Sequence, residues 1–399
     1  MALNIGEPPV MRKTGSFALF ALGFRPFFLA AGVSALVLLG LWLAFWQGVV
    51  PAKGYFTLVE WHAHEMLFGY TAAVIAGFLL TAVKNWTGMA VPTGRLLVVI
   101  SGVWLLGRIL VVTPGAPQWL VAVVDLAFIP LVGWSLWRPL WHGQNKVNRM
   151  FLLIFVGMTL ANLLVHLDVA GVAQSLWPRG VYLMVDMVLL VLLLVAGRVV
   201  PFFTEKAVLG ARSVVRPWVE KTTFISMVAA ALAELALPHG PIAGVAMLAA
   251  ALIQGIRLAG WYNAGIWRVP ILWVLHIGYA WLVLGLGLRG LAGFGVLLPS
   301  VALHAITVGG IGILTLGMMS RVALGHTGQN INDTGPLIPV AFVLLNLGAL
   351  FRVFGPLFVP EQFNLWINIA GGLWMLAFGL FVLVYTPILI RPRVDGRPG

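Results

Sequence analysis

The chain alternates between long apolar stretches and short polar or Pro/Gly-rich breaks, and few polar residues interrupt the stretches. Windows of about twenty apolar residues, the length that spans the hydrocarbon core of a bilayer, fall at 26–48, 61–83, 94–113, 117–137, 149–168, 180–200, 220–238, 241–261, 267–289, 299–321, 335–355 and 366–390. The pattern predicts an all-α, polytopic membrane protein with about twelve transmembrane helices. The breaks are tight, as in Thr113-Pro114-Gly115-Ala116-Pro117 and Leu237-Pro238-His239-Gly240-Pro241. No linker sets a soluble domain apart, so residues 1–399 read as a single transmembrane domain. The first window, beginning at Pro26, is too long for a signal-peptide core and reads as an uncleaved span.

Composition agrees with lipid as the solvent. Hydrophobic residues make up 61% of the 399 and charged residues 9%, against about 25% charged in a soluble domain. The net charge of +12 would suggest nucleic acid on a soluble protein, but here the cations sort by loop. Arg12, Lys13 and Arg25 precede the first window. Every second connection repeats the bias: Lys84 and Arg95; Arg138, Lys146 and Arg149; Lys206, Arg212, Arg216 and Lys221; Arg268; Arg321; and the tail with Arg391, Arg393 and Arg397. The alternate connections hold mainly Lys53, Arg179 and Arg289. By the positive-inside rule both termini are cytoplasmic. Nucleic acid is not an expected partner; the bilayer is.

The chain has no cysteine. This excludes disulfides, thiolate metal sites, iron–sulfur clusters and covalent haem attachment. A metal here falls to His, Met, carboxylate or backbone oxygen. Of the eight histidines, the topology puts His62, His64, His166 and His304 near the outer face. His276 lies mid-helix, His239 in an outer loop, and His142 and His326 on the cytoplasmic side.

Ionisable groups at membrane depth point to function by default. His62 and His64, in Trp61-His62-Ala63-His64-Glu65, are two residues apart, roughly 200° around a helix. A regular helix cannot aim both at one metal. They serve two sites, or one is a ligand and the other a supporting or surface residue; interfacial packing beside Trp61 is the plain alternative. A shift of 240 positions lays His64, Gly69, Gly77, Thr87 and Gly88 on His304, Gly309, Gly317, Thr327 and Gly328. Such a repeat implies three four-helix units with helices 2, 6 and 10 as equivalents. Equal depth and small residues on both helices suit a b-type haem with His64 and His304 as axial ligands; ordinary helix packing explains the glycines equally. Asp168 stands near enough to His166 to orient its ring. For His276 a metal and a hydrogen bond to a neighbouring helix are equal readings. Arg108 and Asp125 flank the turn between helices 3 and 4 and suit a structural pair, whereas Asp186 and Arg198, twelve residues apart on helix 6, do not pair with each other.

Four separated motifs carry a resemblance: Gly23-Phe24-Arg25-Pro26-Phe27-Phe28, Trp61-His62-Ala63-His64-Glu65-Met66, Gly197-Arg198-Val199-Val200-Pro201-Phe202-Phe203-Thr204 and His304-Ala305-Ile306-Thr307-Val308-Gly309-Gly310. In this order they resemble the NnrS family. The resemblance implies a twelve-helix protein of the bacterial inner membrane that contains haem and copper and is linked to nitric oxide and nitrosative stress. With copper brought in by the resemblance, its preference for imidazole points to His62 and His166, with His276 as a third candidate. The implied function is handling of nitric oxide by redox chemistry at the metal, with an unidentified electron donor. The alternatives are a transporter of a metal-linked or nitrosylated species and a membrane nitric oxide sensor. A looser likeness is to haem–copper oxidases, which also have three four-helix arcs and hold a haem from helices 2 and 10. Helix 6, which carries copper-binding histidines in those enzymes, has none here.

Overall fold

The computed structural model describes residues 17–51 and 54–397; Arg12, Lys13 and Lys53, counted above among the loop cations, lie outside the described residues. Among the described residues there is no strand, and twelve long helices form. They are α1 (Phe24–Trp46), α2 (Leu58–Thr87), α3 (Arg95–Leu110), α4 (Gln118–His142), α5 (Lys146–Val169), α6 (Leu176–Ala207), α7 (Pro217–Ala236), α8 (Pro241–Trp261), α9 (Pro270–Ala292), α10 (Pro299–His326), α11 (Leu337–Phe358) and α12 (Phe363–Ile390). Ten are long and apolar enough to cross a membrane, and the chain is a multi-pass membrane protein. The other two are α3 and α7. Helix α3 has 16 residues, about 24 Å at about 1.5 Å per residue, short of the roughly 30 Å core. Helix α7 carries Glu220, Lys221 and Glu234.

Helix α5 shows how the sequence sorts its faces. Its apolar residues run all round, the mark of a helix with lipid on one side and protein on the other. Leu153, Val156, Leu160 and Leu163 are exposed to the bilayer, whereas Phe151, Phe155, Met158, Asn162 and His166 point inward. The four-residue spacing of Met158, Asn162 and His166 stacks them on one stripe.

The most apolar windows of α2, α10 and α6 are 83%, 72% and 67% buried, against 33% in α4 and α12. These three helices occupy the middle of the bundle. Close packing uses glycine: a Cβ at Gly77 would meet Phe27 at 2.8 Å. On α10, a Cβ at Gly309 would strike Trp281, one at Gly312 Trp374, and one at Gly317 Val274. Protein side chains fill the space beside these glycines, so they serve helix packing. The ring of helices closes where α12 packs on α1, and Ala18 N–H donates to the Ile390 carbonyl at 2.8 Å. The tail docks under α10 through Arg393, which donates to the His326 carbonyl at 2.7 Å.

Helices α2 and α10 share one irregularity. Each widens to a π-helical segment immediately after a histidine, at Glu65–Thr71 after His64 and at Ala305–Gly312 after His304. The 240-residue register lays one segment on the other, while α6 remains α-helical throughout. Such segments cluster at functional sites.

Candidate metal centres

The Thr57 N–H donates to the Glu60 carboxylate at 3.0 Å, a capping box that fixes where α2 begins. From that start, His62 and His64 fall on opposite sides of the helix. His64 is fully buried. Its Nδ1 lies 3.0 Å from Glu65 Oε1, and its Nε2 lies 3.0 Å from Asp125 Oδ2 on α4 and 3.2 Å from Asn162 Oδ1 on α5. One turn past Asn162, His166 Nε2 lies 3.0 Å from the same Asp125 oxygen. Its Nδ1 is 3.1 Å from the Tyr55 hydroxyl. Tyr55 belongs to the loop before α2, and burial raises its hydroxyl pKa, so the hydroxyl stays protonated at neutral pH. Arg108 on α3 donates to Glu65 at 2.7 Å and pairs with Asp125. Two glycines admit these groups: a Cβ at Gly69 would lie 3.0 Å from the Arg108 guanidinium, and one at Gly107 3.2 Å from Asp125.

Glu65 and Asp125 carry two negative charges against one on Arg108, so with neutral imidazoles the buried cluster is one positive charge short. Burying an unbalanced charge is costly. Both nitrogens of His64 face carboxylates and both donate only in the imidazolium, so either a proton or a metal cation closes the balance. One ligand atom each from His64, Asp125 and His166 lie within 4.8 Å of one another.

On the other side of α2, His62 faces a cavity of ≈ 290 Å³ between α2 and α10, which His304 lines from across. The wall is mostly apolar, with Trp42, Met66, Tyr70 and Trp374 among its residues. His304 Nδ1 donates to the Ser300 carbonyl at 2.7 Å. That bond fixes the tautomer and makes Nε2 the acceptor, and it accepts from Arg352 at 3.1 Å. The His62 ring stacks on Trp42 at 4.3 Å, and its nitrogens have no hydrogen-bond partner among the described residues. Arg352 has no carboxylate partner among the described residues, so it brings an unpaired positive charge to the cavity.

A family model described as NnrS protein matches residues 18–393, nearly the whole chain. The chain belongs to the NnrS family. The comparison with curated proteins finds no match.

In this NnrS protein the structure separates the expected haem pair. His64 joins His166 and Asp125, whereas His304 shares its cavity with His62. The 240-residue register made His64 and His304 equivalent, but equivalent positions on two helices need not face each other. His62 and His166, expected together on copper, lie in different environments because His62 faces the opposite side of α2 from the His64 cluster. His276 meets no other histidine: its Nδ1 is 3.0 Å from the Leu272 carbonyl and its Nε2 3.4 Å from that of Trp261. Both ring nitrogens lie beside backbone carbonyls, one of them on the neighbouring helix α8, the hydrogen-bonded reading of this residue. Asp168 does not orient His166; it accepts the Leu176 and Trp177 N–H groups at 2.5 and 2.8 Å and caps α6. Asp186 is partnered by Arg289, at 2.5 Å, and Arg198 by Asn148, at 2.8 Å. Arg289, read as a loop cation, is buried.

Sequence reasoning took Arg108 and Asp125 for a structural pair and did not place them in a site. They do pair, and two histidines join them. The signal was there: a carboxylate and a guanidinium in apolar helices. Arg352, in Leu350-Phe351-Arg352-Val353-Phe354, carried the same signal.

Proposed function

We propose that this NnrS protein is a haem- and copper-binding protein of the bacterial inner membrane, with both termini cytoplasmic, that handles nitric oxide in the nitrosative stress response. The observation that carries the reading is the division of His62 and His64 between two environments with different donor sets. Membership of a family associated with nitric oxide supplies the substrate, and the loop cations supply the orientation.

The cavity suits haem b. His304 presents an Nε2 lone pair held in place by Ser300, and His62 presents an unpartnered ring steadied by Trp42. These two would hold the iron. Arg352, which occupies His304 Nε2, would turn to an anionic group such as a carboxylate of the macrocycle. Bound there, a haem would supply one-electron redox chemistry at iron. The apolar wall excludes water, and the Ser300 carbonyl keeps the His304 proton on Nδ1.

The cluster of His64, His166 and Asp125 suits copper. Two imidazoles and a carboxylate are a copper-type donor set, and a monovalent cation makes the cluster neutral. Tyr55, Asn162 and Arg108 would orient the ligands from outside.

The test is the optical spectrum and metal content of purified protein, with and without dithionite and nitric oxide. His62→Ala and His304→Ala should each lose the low-spin haem spectrum and keep copper. His64→Ala and His166→Ala should lose copper and keep haem. An intact haem spectrum in His304→Ala defeats the haem assignment, and full copper occupancy in the His64→Ala, His166→Ala double variant defeats the copper assignment.

A further inference from the structure

A second buried ionic cluster stands at the outer ends of α6, α7 and α9, away from both centres. Asp186 of α6 pairs with Arg289 of α9, and Glu234 of α7 lies 3.9 Å from the same guanidinium. Glu234 is in turn 3.1 Å from Nδ1 of His239. His239 sits in the turn between α7 and α8, its side chain 37% exposed and so in contact with water. Asp186, Glu234 and His239 border a second cavity of ≈ 280 Å³, with Arg179 exposed at its rim. Tyr182, one turn from Asp186 on α6, lines this cavity and also the His62–His304 cavity. The Tyr182 ring stands edge-on to His239 with centroids 4.8 Å apart and lies under Arg289 at 4.9 Å.

An ion pair that only joins helices needs neither a third charge nor a space beside it. Here Asp186 and Glu234 face one interior cation, Arg289, so the interior is short of one positive charge while His239 is neutral. The cavity takes several waters at about 30 Å³ each, and a titratable imidazole stands at its mouth. Tyr182 is the residue that lines both this cavity and the proposed haem cavity.

We infer that this cluster is a proton-entry route, carrying protons from outer water at His239 through Glu234 and Asp186 to the wall at Tyr182 that adjoins the metal cavity. Each passage is balanced. His239, starting with its proton on Nδ1, takes one from water at Nε2 and gives the Nδ1 proton to Glu234; rotation of the part-exposed ring or proton exchange with water then restores the first tautomer, while cavity water passes the proton to Asp186 and on toward Tyr182 and each carboxyl returns to its starting state. Arg289 carries no proton. It holds the two carboxylates beside each other. The direction of delivery rests on the reading of the His62–His304 cavity as a metal site; the route itself rests on the ionic cluster.

Two measurements on the full-length purified protein separate these. The first is infrared spectroscopy during exchange from H₂O to D₂O, which needs no haem. A protonated carboxyl band should be present, should vanish in Asp186→Asn or Glu234→Gln, and should exchange at least tenfold more slowly in His239→Gly. Glycine is the suitable replacement because His239 has φ +54°, which glycine adopts without strain. The second is proton uptake from a pH indicator on electrochemical reduction of the haem. Glu234→Gln and His239→Gly should slow uptake at least tenfold with the haem spectrum unchanged. Exchange and uptake at wild-type rates in both variants would overturn the route. A wild-type protein without haem defeats the cavity reading alone, and the infrared exchange then decides the route.

Discussion

His62 and His64 are separated by one alanine and live in opposite conditions. On one side of α2, His64 has every nitrogen engaged: two carboxylates, an amide, and beyond them an arginine and a second imidazole. On the other, His62 lies against a tryptophan with no polar partner, looking across an apolar cavity at His304. The first environment is a closed hydrogen-bond network whose charges fall one short of balance. The second is an open space in which His62 has no hydrogen-bond partner among the described residues and His304 is held by Ser300 and Arg352. Polar groups in lipid persist only when satisfied, so the two conditions ask for different completions: a small cation or a proton for one, a large planar ligand for the other.

The comparison breaks most visibly at the cavity. His304→Ala should abolish low-spin haem absorbance altogether while membrane insertion, read by expression and gel filtration, persists. Next comes the network. Asp125→Ala leaves Arg108 and two imidazoles without their shared acceptor, and breaking a buried pair from one side costs about 3–5 kcal/mol; thermal unfolding in detergent should show a large fall in Tm, with copper lost even in the fraction that survives. Gly69→Ala sharpens the contrast at lower cost. Its methyl group crowds the Arg108 guanidinium, an overpacking of about 1–3 kcal/mol, and should weaken copper binding while leaving the haem spectrum alone. Trp42→Leu should do the reverse: a few-fold weaker haem retention, measured by transfer to apomyoglobin, with copper content unchanged.

The smallest effect lies outside both regions. In the tail, bonding to Arg393 lowers the Asp395 carboxyl pKa to about 2. A depressed carboxylate contributes stability above its ordinary pKa and loses it as pH falls through the lowered one. Asp395→Asn should therefore differ slightly from wild type in Tm at neutral pH, and the difference should disappear toward pH 2. Neither metal content should respond.

Much of the fold was legible because apolar length is a strong signal: the windows from Pro26 onward fall on helices, although α6 runs seven residues past its window, to Ala207. The irregularities were not. Nothing in Glu65-Met66-Leu67-Phe68-Gly69-Tyr70-Thr71 announces a π segment, since its wider turns depend on what packs around it. For the site, the two-residue spacing already placed His62 and His64 on different faces, which the structure shows. Which partner each face would find was not readable, because it depends on how α4, α5 and α10 are arranged around α2. The internal register suggested His64 with His304, and a pattern of equivalence stood in for a map of neighbours. Asp125 and Arg352 were visible as intramembrane charges, but a sequence does not say whether such a charge faces a salt bridge or a cavity.

The hydrogen bond from Ala18 to Ile390 has one more consequence. The described chain meets itself where it starts and where it stops, so the bundle is a loop of helices with an arbitrary seam. Joining the two ends with a short linker and cutting instead at a turn at the opposite end of the helices, such as Val296–Leu298 before α10, would give a circular permutant with the same neighbours and a different reading order. The histidines of α2 and α10 would then exchange their places in translation, and the architecture around them would depend on who touches whom rather than on who is made first.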